Sequence, residues 1–172
     1  MLQVRELWDD VRLRLIPRGP IALALALACG AVSMAAPQPD PAASVVTLTN
    51  HERAREKRPP LAANARLMKA AQLHADQMAR AGRLDHELRG VRYPRAEDRL
   101  KAAGYAWQGW AENIASGQPT PVEVLRSWMK SKPHRKNILE PSMREIGVGV
   151  ATDRSGRLYW VQLFGRPLPQ AR

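Results

Sequence analysis

The sequence predicts an α+β fold, with helices packed on a mostly antiparallel sheet. Three observations carry this. Apolar residues recur at helical spacing through the first two thirds of the chain. Two runs with β-branched or aromatic residues at period two, Ile146–Ala151 and Leu158–Phe164, follow near its end. Asp153-Arg154-Ser155-Gly156 joins them as a hairpin turn. Helices first and a hairpin last is the α+β order, and no internal repeat competes with it.

The chain opens with a mixed segment, Arg5, Arg12, Arg14 and Arg18 against Glu6, Asp9 and Asp10. The apolar run Ile21–Cys29 follows. It is too short for a comfortable bilayer span, and its basic flank and trailing small residues fit a signal-peptide core. Ser33-Met34-Ala35 offers cleavage after Ala35, and Ala26-Leu27-Ala28-Cys29 offers lipid attachment at Cys29. Residues 1–35 are thus expected to be a signal peptide or N-terminal anchor, 36–44 a Pro/Ala linker, and 45–168 the folded domain. Cys29 is the single cysteine, so that domain must fold without disulfides and without thiol chemistry.

Val45–Arg58 reads as a polar helix stopped by Pro59-Pro60. A second helix is expected from Asn64 to Ala81, with Leu67, Ala70, Ala71, His74, Ala75 and Met78 on one face and Gly82 closing it. His74 on that face is expected to be a core histidine with one hydrogen-bonded nitrogen, and His51 to lie on the surface. Pro94–Ala103 forms a short helix ending at Gly104. From Tyr105 the chain reads as irregular or extended, up to Ala111-Glu112-Asn113-Ile114-Ala115. Glu112 is a lone carboxylate among apolar neighbours, so it needs a partner: backbone N–H groups, an arginine or a histidine.

Thr120-Pro121-Val122-Glu123 is a capping box with Pro at the first helical position. Val122, Leu125, Trp128 and Met129 follow at helical spacing. Pro133 is expected to end that helix at Lys132 and leave His134 on the turn beyond. Ile138 and Leu139 anchor the turn, and Asn137 bonds its backbone. In the hairpin, Gly147 and Gly149 share a face, which predicts that another backbone lies close against it. Four of the five tryptophans lie at 107 or beyond, which places the best-packed core there.

Taken in order, Leu48-Thr49-Asn50, Arg53, Leu67, Ala71, His74, Leu84-Asp85-His86, Arg99, Gly104-Tyr105, Glu112-Asn113-Ile114-Ala115, Trp128-Met129-Lys130-Ser131, His134-Arg135, Asn137-Ile138-Leu139, Ile146-Gly147-Val148-Gly149 and Tyr159–Gly165 resemble the CAP superfamily. This is the family of cysteine-rich secretory, antigen 5 and pathogenesis-related proteins, and the chain is most similar to its cysteine-free bacterial SCP-like branch. The resemblance covers residues 46–165. It implies a three-layer α-β-α sandwich, an extracytoplasmic location (periplasmic, secreted or lipid-anchored) and a cleft. Eukaryotic members line that cleft with two histidines and two glutamates, and some bind zinc there. His86, Glu112 and His134 match three of the four; Ser131 stands where the second glutamate would be.

Two histidines and a carboxylate can form an open zinc site, which makes zinc at His86 and His134 the candidate cofactor; the competing expectation is a polar, hydrogen-bonded cleft that holds Glu112 and the loops in place without a metal. A metal-dependent hydrolase at the same cleft is the alternative function. Ser131 and His134 also suggest a nucleophile and base, but no nucleophile elbow surrounds Ser131. The primary expectation is a monomeric, non-enzymatic module that binds a lipid, envelope glycan or peptide. The formal charge of +11 favours an anionic envelope surface. Nucleic acid is not expected, because no aromatics interleave the basic clusters at 51–58 and 130–136.

Overall fold

The computed structural model describes residues 40–169. The proposed leader and its Cys29 lie outside them. Helix α1 (Pro41–Arg55) opens the described chain. Asp40 caps it, Oδ1 accepting from Ala42 N at 3.1 Å, and Pro41 takes the first turn, where no N–H is required. The residues Pro41–Ser44, expected as linker, are therefore the first turn of a helix that also ends before Arg58.

After the two-residue strand β1 (Ala62–Ala63), α2 (Ala65–Ala81) runs as expected, with Asn64 Oδ1 accepting from Arg66 N and Leu67 N. Gly82 ends it in the left-handed conformation at φ 61°. Helix α3 (Ala96–Ala102) is followed by β2 (Trp107–Ser116), a ten-residue strand where the sequence left irregular and extended chain both open. Gln108, Gly109 and Glu112 interrupt its apolar alternation. Helix α4 (Pro121–Lys130) has Thr120 as N-cap. Its buried face is Val124, Leu125 and Trp128; Val122 is exposed, which corrects its expected place on the apolar side. The chain then breaks at Ser131 and starts α5 (Lys132–Leu139). Pro133 opens this helix instead of ending the previous one, because its missing N–H is tolerated in a first turn.

The hairpin is formed by β3 (Glu145–Thr152) and β4 (Leu158–Pro167), and the sheet order is β1-β3-β4-β2. β4 pairs antiparallel with both neighbours, while β1 adds a short parallel pairing to β3. The sheet separates two cores. On one side Val45, Val124, Trp128 and Ile138 from α1, α4 and α5 pack on Ile146, Val148, Trp160 and Phe164. On the other, Leu67, Ala71, Met78 and Leu100 from α2 and α3 pack on Ile114, Tyr159, Val161 and Leu163. The alternation of β4 residues between the two lists is the period-two signal of a strand buried on both faces. The described residues thus form a three-layer α-β-α sandwich. Trp128 and Trp160 are both buried, their indole N–H groups donating to Ile114 O and Gln118 O. A Cβ on Gly147 would lie 2.2 Å from the Leu67 carbonyl carbon, and one on Gly149 would lie 2.4 Å from that of Ala71. The approaching backbone expected at those glycines is α2. Among the described residues no helix is long and apolar enough to cross a membrane.

Candidate functional site

β2 is an edge strand, so both helical layers have access to it. Successive side chains on it face opposite layers. Glu112 meets groups carried by α2, α3 and the segment between them, and Asn113 meets α5.

The Glu112 side chain is 2% exposed and fully engaged. Oε2 accepts from Arg99 Nη2 at 2.9 Å, and Oε1 accepts from His86 Nδ1 at 2.8 Å. The partner the carboxylate required is thus an arginine and a histidine together. Burial pushes this carboxyl up, but the His86 hydrogen bond, His74 and Arg99 outweigh it and hold it below the usual range. Arg99 is itself fully buried. Its Nη1 donates to Pro94 O, and its Nη2 also reaches His86 O at 3.3 Å, so one guanidinium fixes both the carboxylate and the loop that carries His86.

His86 follows the end of α2, and its ring is 55% exposed. The hydrogen bond to Glu112 raises its pKa more than partial burial lowers it. With Nδ1–H donated to a carboxylate, Nε2 is the nitrogen left to meet a ligand. The flanking Asp85 also raises it, as the smallest contributor.

His134 is the third residue of α5, not a turn residue, since the helix restarts at Lys132. Its carbonyl accepts from Asn113 Nδ2 at 3.2 Å. Asn137 Nδ2 donates to Asn113 Oδ1, Asn113 to Gln162 Oε1, and Gln162 to Thr49 Oγ1, a buried amide chain that pins α5 against the sheet. Asn137 therefore bonds the neighbouring strand rather than its own turn. Burial lowers the His134 pKa, and the nearby His86 charge lowers it further. Ser131 lies at the break between α4 and α5, and its hydrogen bonds are made by its backbone.

His74 is buried as expected, but neither ring nitrogen has a hydrogen-bond partner. Its Nε2 lies 3.8 Å from Glu112 Oε1. Burial lowers its pKa to about 4. His51 is exposed. Among the described residues no group of three or more His, Cys, Asp or Glu is arranged to hold a metal ion. Glu112 stands behind His86 as its hydrogen-bond partner.

The role of Arg99 was the residue assignment that sequence reasoning missed. Its signal was present: Arg99 sits with Ala96 and Leu100 on the buried face of a short helix. A charged residue at such a position calls for an opposite charge.

A sequence model of the cysteine-rich secretory protein family (CAP) matches residues 46–164. The uncharacterized protein YkwD of Bacillus subtilis (strain 168) is 38% identical over 122 residues, which are 71% of this chain and 46% of YkwD. The chain thus spans less than half the length of that relative. An extracellular protein containing an SCP domain from Bacillus anthracis str. Ames has a similar structure, with TM-score 0.67 and 29% identity, over 73% of this chain and 40% of that one. An outer surface protein of Borrelia burgdorferi, 19% identical, shares the fold with TM-score 0.65 over 72% of this chain and 90% of its own.

Proposed function

The chain belongs to the cysteine-rich secretory protein (CAP) family, and from that membership we propose that it acts outside the cytoplasm as a binding module whose site is built on His86, Glu112 and His134. The leader pattern at residues 21–35 and the extracellular character of the Bacillus anthracis relative support the location. The observation that carries the site is the Arg99–Glu112–His86 arrangement. A buried carboxylate, neutralised from inside by Arg99, orients a half-exposed imidazole. Such an arrangement presents one nitrogen of a fixed ring to whatever docks beside α5.

Binding fits these residues better than hydrolysis. Both Glu112 oxygens are engaged, so this carboxylate is not a free general base. Ser131 makes no side-chain bond to a histidine and has no activated-nucleophile geometry. The donor set suits a divalent ion weakly: His86 Nε2 and the His134 ring would hold it, with Glu112 tuning His86 from behind. Such an ion would supply Lewis-acid chemistry when bound. The ligand of the site is a lipid, glycan or peptide of the cell envelope. Native mass spectrometry of protein purified from its host envelope tests this. A retained ligand that is lost in His86→Ala and His134→Ala is the expected result. A ligand retained unchanged in both variants would place binding elsewhere.

A further inference from the structure

The face of α5 away from the amide chain carries a second constellation. Arg58, Lys132, Arg135 and Lys136 line an open concavity of about 440 Å³, with Leu139, Glu140 and Pro141 completing it. We propose that this concavity binds a phosphate group, presented by a lipid headgroup or free in solution. It is a different site from the His86 region and does not depend on it.

Four cations line this space against one lining acid, Glu140, one of whose oxygens is engaged by Ser142. Glu140 Oε1 accepts from Ser142 N and Ser142 Oγ. Among the described residues Arg58, Lys132 and Lys136 form no ion pair, and Arg135 alone is paired, to Glu56. Lys132, Arg135 and Lys136 are spaced three and four apart, so they stack on one face of α5 and repel one another. The first turn of α5 holds no acid. Positive charge there also opposes the helix dipole, an arrangement a bound anion relieves.

Two further features point the same way. Lys57 adopts a left-handed φ of 55°, and this turn after α1 brings Arg58 to the concavity. Arg53 is fully buried, its Nη1 donating to Ile138 O and to the carbonyl of Glu140, and its Nη2 has no partner. Burial lowers the Arg53 pKa, and the charges of Arg144 and Arg58 lower it further, while the Glu140 charge opposes them with a smaller effect. Several guanidinium and ammonium donors around one space match the many acceptor oxygens and the charge of phosphate.

The test uses the full-length protein and two probes. Inorganic pyrophosphate is titrated while backbone amide shifts are read by NMR, and sedimentation is measured with phosphatidylcholine vesicles with and without phosphatidylglycerol. The pocket variant is Arg58→Gln/Lys132→Gln/Lys136→Gln. The control, Lys69→Gln/Arg89→Gln/Arg157→Gln, removes the same charge from exposed positions elsewhere. Saturable pyrophosphate shifts centred on Lys132–Lys136, weakened about tenfold or more in the pocket variant and retained in the control, establish a soluble phosphate site. Pocket-dependent binding of phosphatidylglycerol vesicles without pyrophosphate binding assigns the phosphate to a lipid headgroup. Equal weakening in both variants would reduce the effect to net charge and overturn the proposal. Absence of binding to either probe by the wild type would also overturn it.

Discussion

Arg99 Nη2 and Glu112 Oε2 meet at 2.9 Å with both side chains withdrawn from solvent. The same nitrogen reaches the carbonyl of His86, so the pair supports the candidate site as well as the fold. Removing Glu112 leaves Arg99 buried without an opposite charge, and removing Arg99 leaves the buried carboxylate with His86 alone as a hydrogen-bond partner. Arg99→Met should destabilise the protein by about 3–5 kcal/mol. Adding Glu112→Leu should recover much of that loss. Urea unfolding of the wild type and the three variants checks this; additive losses in the double variant would mean that the two groups do not act as a pair.

The sheet core rests on two indoles in one layer. Trp128→Ala and Trp160→Ala should each cost about 3–5 kcal/mol, since both rings are buried and both N–H groups are bonded. Thermal melts provide the measurement, and an unchanged midpoint would contradict the packing described.

Gly147 and Gly149 set how closely α2 approaches the sheet. A methyl at either meets helix backbone, which cannot rotate away as a side chain can. Gly147→Ala and Gly149→Ala should each lose about 1–3 kcal/mol or more, measured by denaturant midpoint. Gly156→Ala should cost less, through its left-handed φ of 85° alone, because nothing lies near its added carbon.

Acid stability should carry the mark of His74. Its pKa is about 4 in the folded protein and 6.5 when unperturbed. Between these values the unfolded chain binds a proton that the folded chain refuses, so stability falls with pH across this window by about 3 kcal/mol. Glu112 acts in the same direction: its pKa is lowered, so its contribution is present above its unfolded value and is lost as pH falls through the folded one. His86 has the opposite sign: its pKa is raised, so its contribution is full below the unfolded value near 6.5 and fades as pH rises through the folded one. Unfolding free energies of wild type and His74→Leu from pH 4 to 7 check the first effect. The variant should lose most of the slope, and an unchanged slope would contradict the account.

Elements with strong local signals were legible in the sequence. Helix α2 announced itself by Asn64, its apolar face and Gly82, and the hairpin by its period-two alternation. The alternate glycines of β3 foretold a closely approaching backbone, though not that it would be α2. What was misread depended on context. Pro133 either ends a helix or opens one, and only the extended break at Ser131 decides between them. Asp40-Pro41 is the same cap-and-proline pair as Thr120-Pro121, yet the Pro/Ala composition around it masked the helix start. At the site, the need of Glu112 for a partner followed from burial alone. The identity of that partner did not, because Arg99 and His86 are joined to Glu112 only by tertiary packing.

The central claim is that His86, oriented by Glu112, forms a binding site with His134. The chain has four histidines, so histidine-selective nitrogen NMR with zinc as the probe reads every imidazole at once. At neutral to mildly basic pH zinc should shift the ring signals of His86 and His134, with His86 responding at Nε2 and keeping Nδ1–H. His51 and His74 should not move. Shifts confined to His51 or His74, or no shift at any of the four, would contradict this claim.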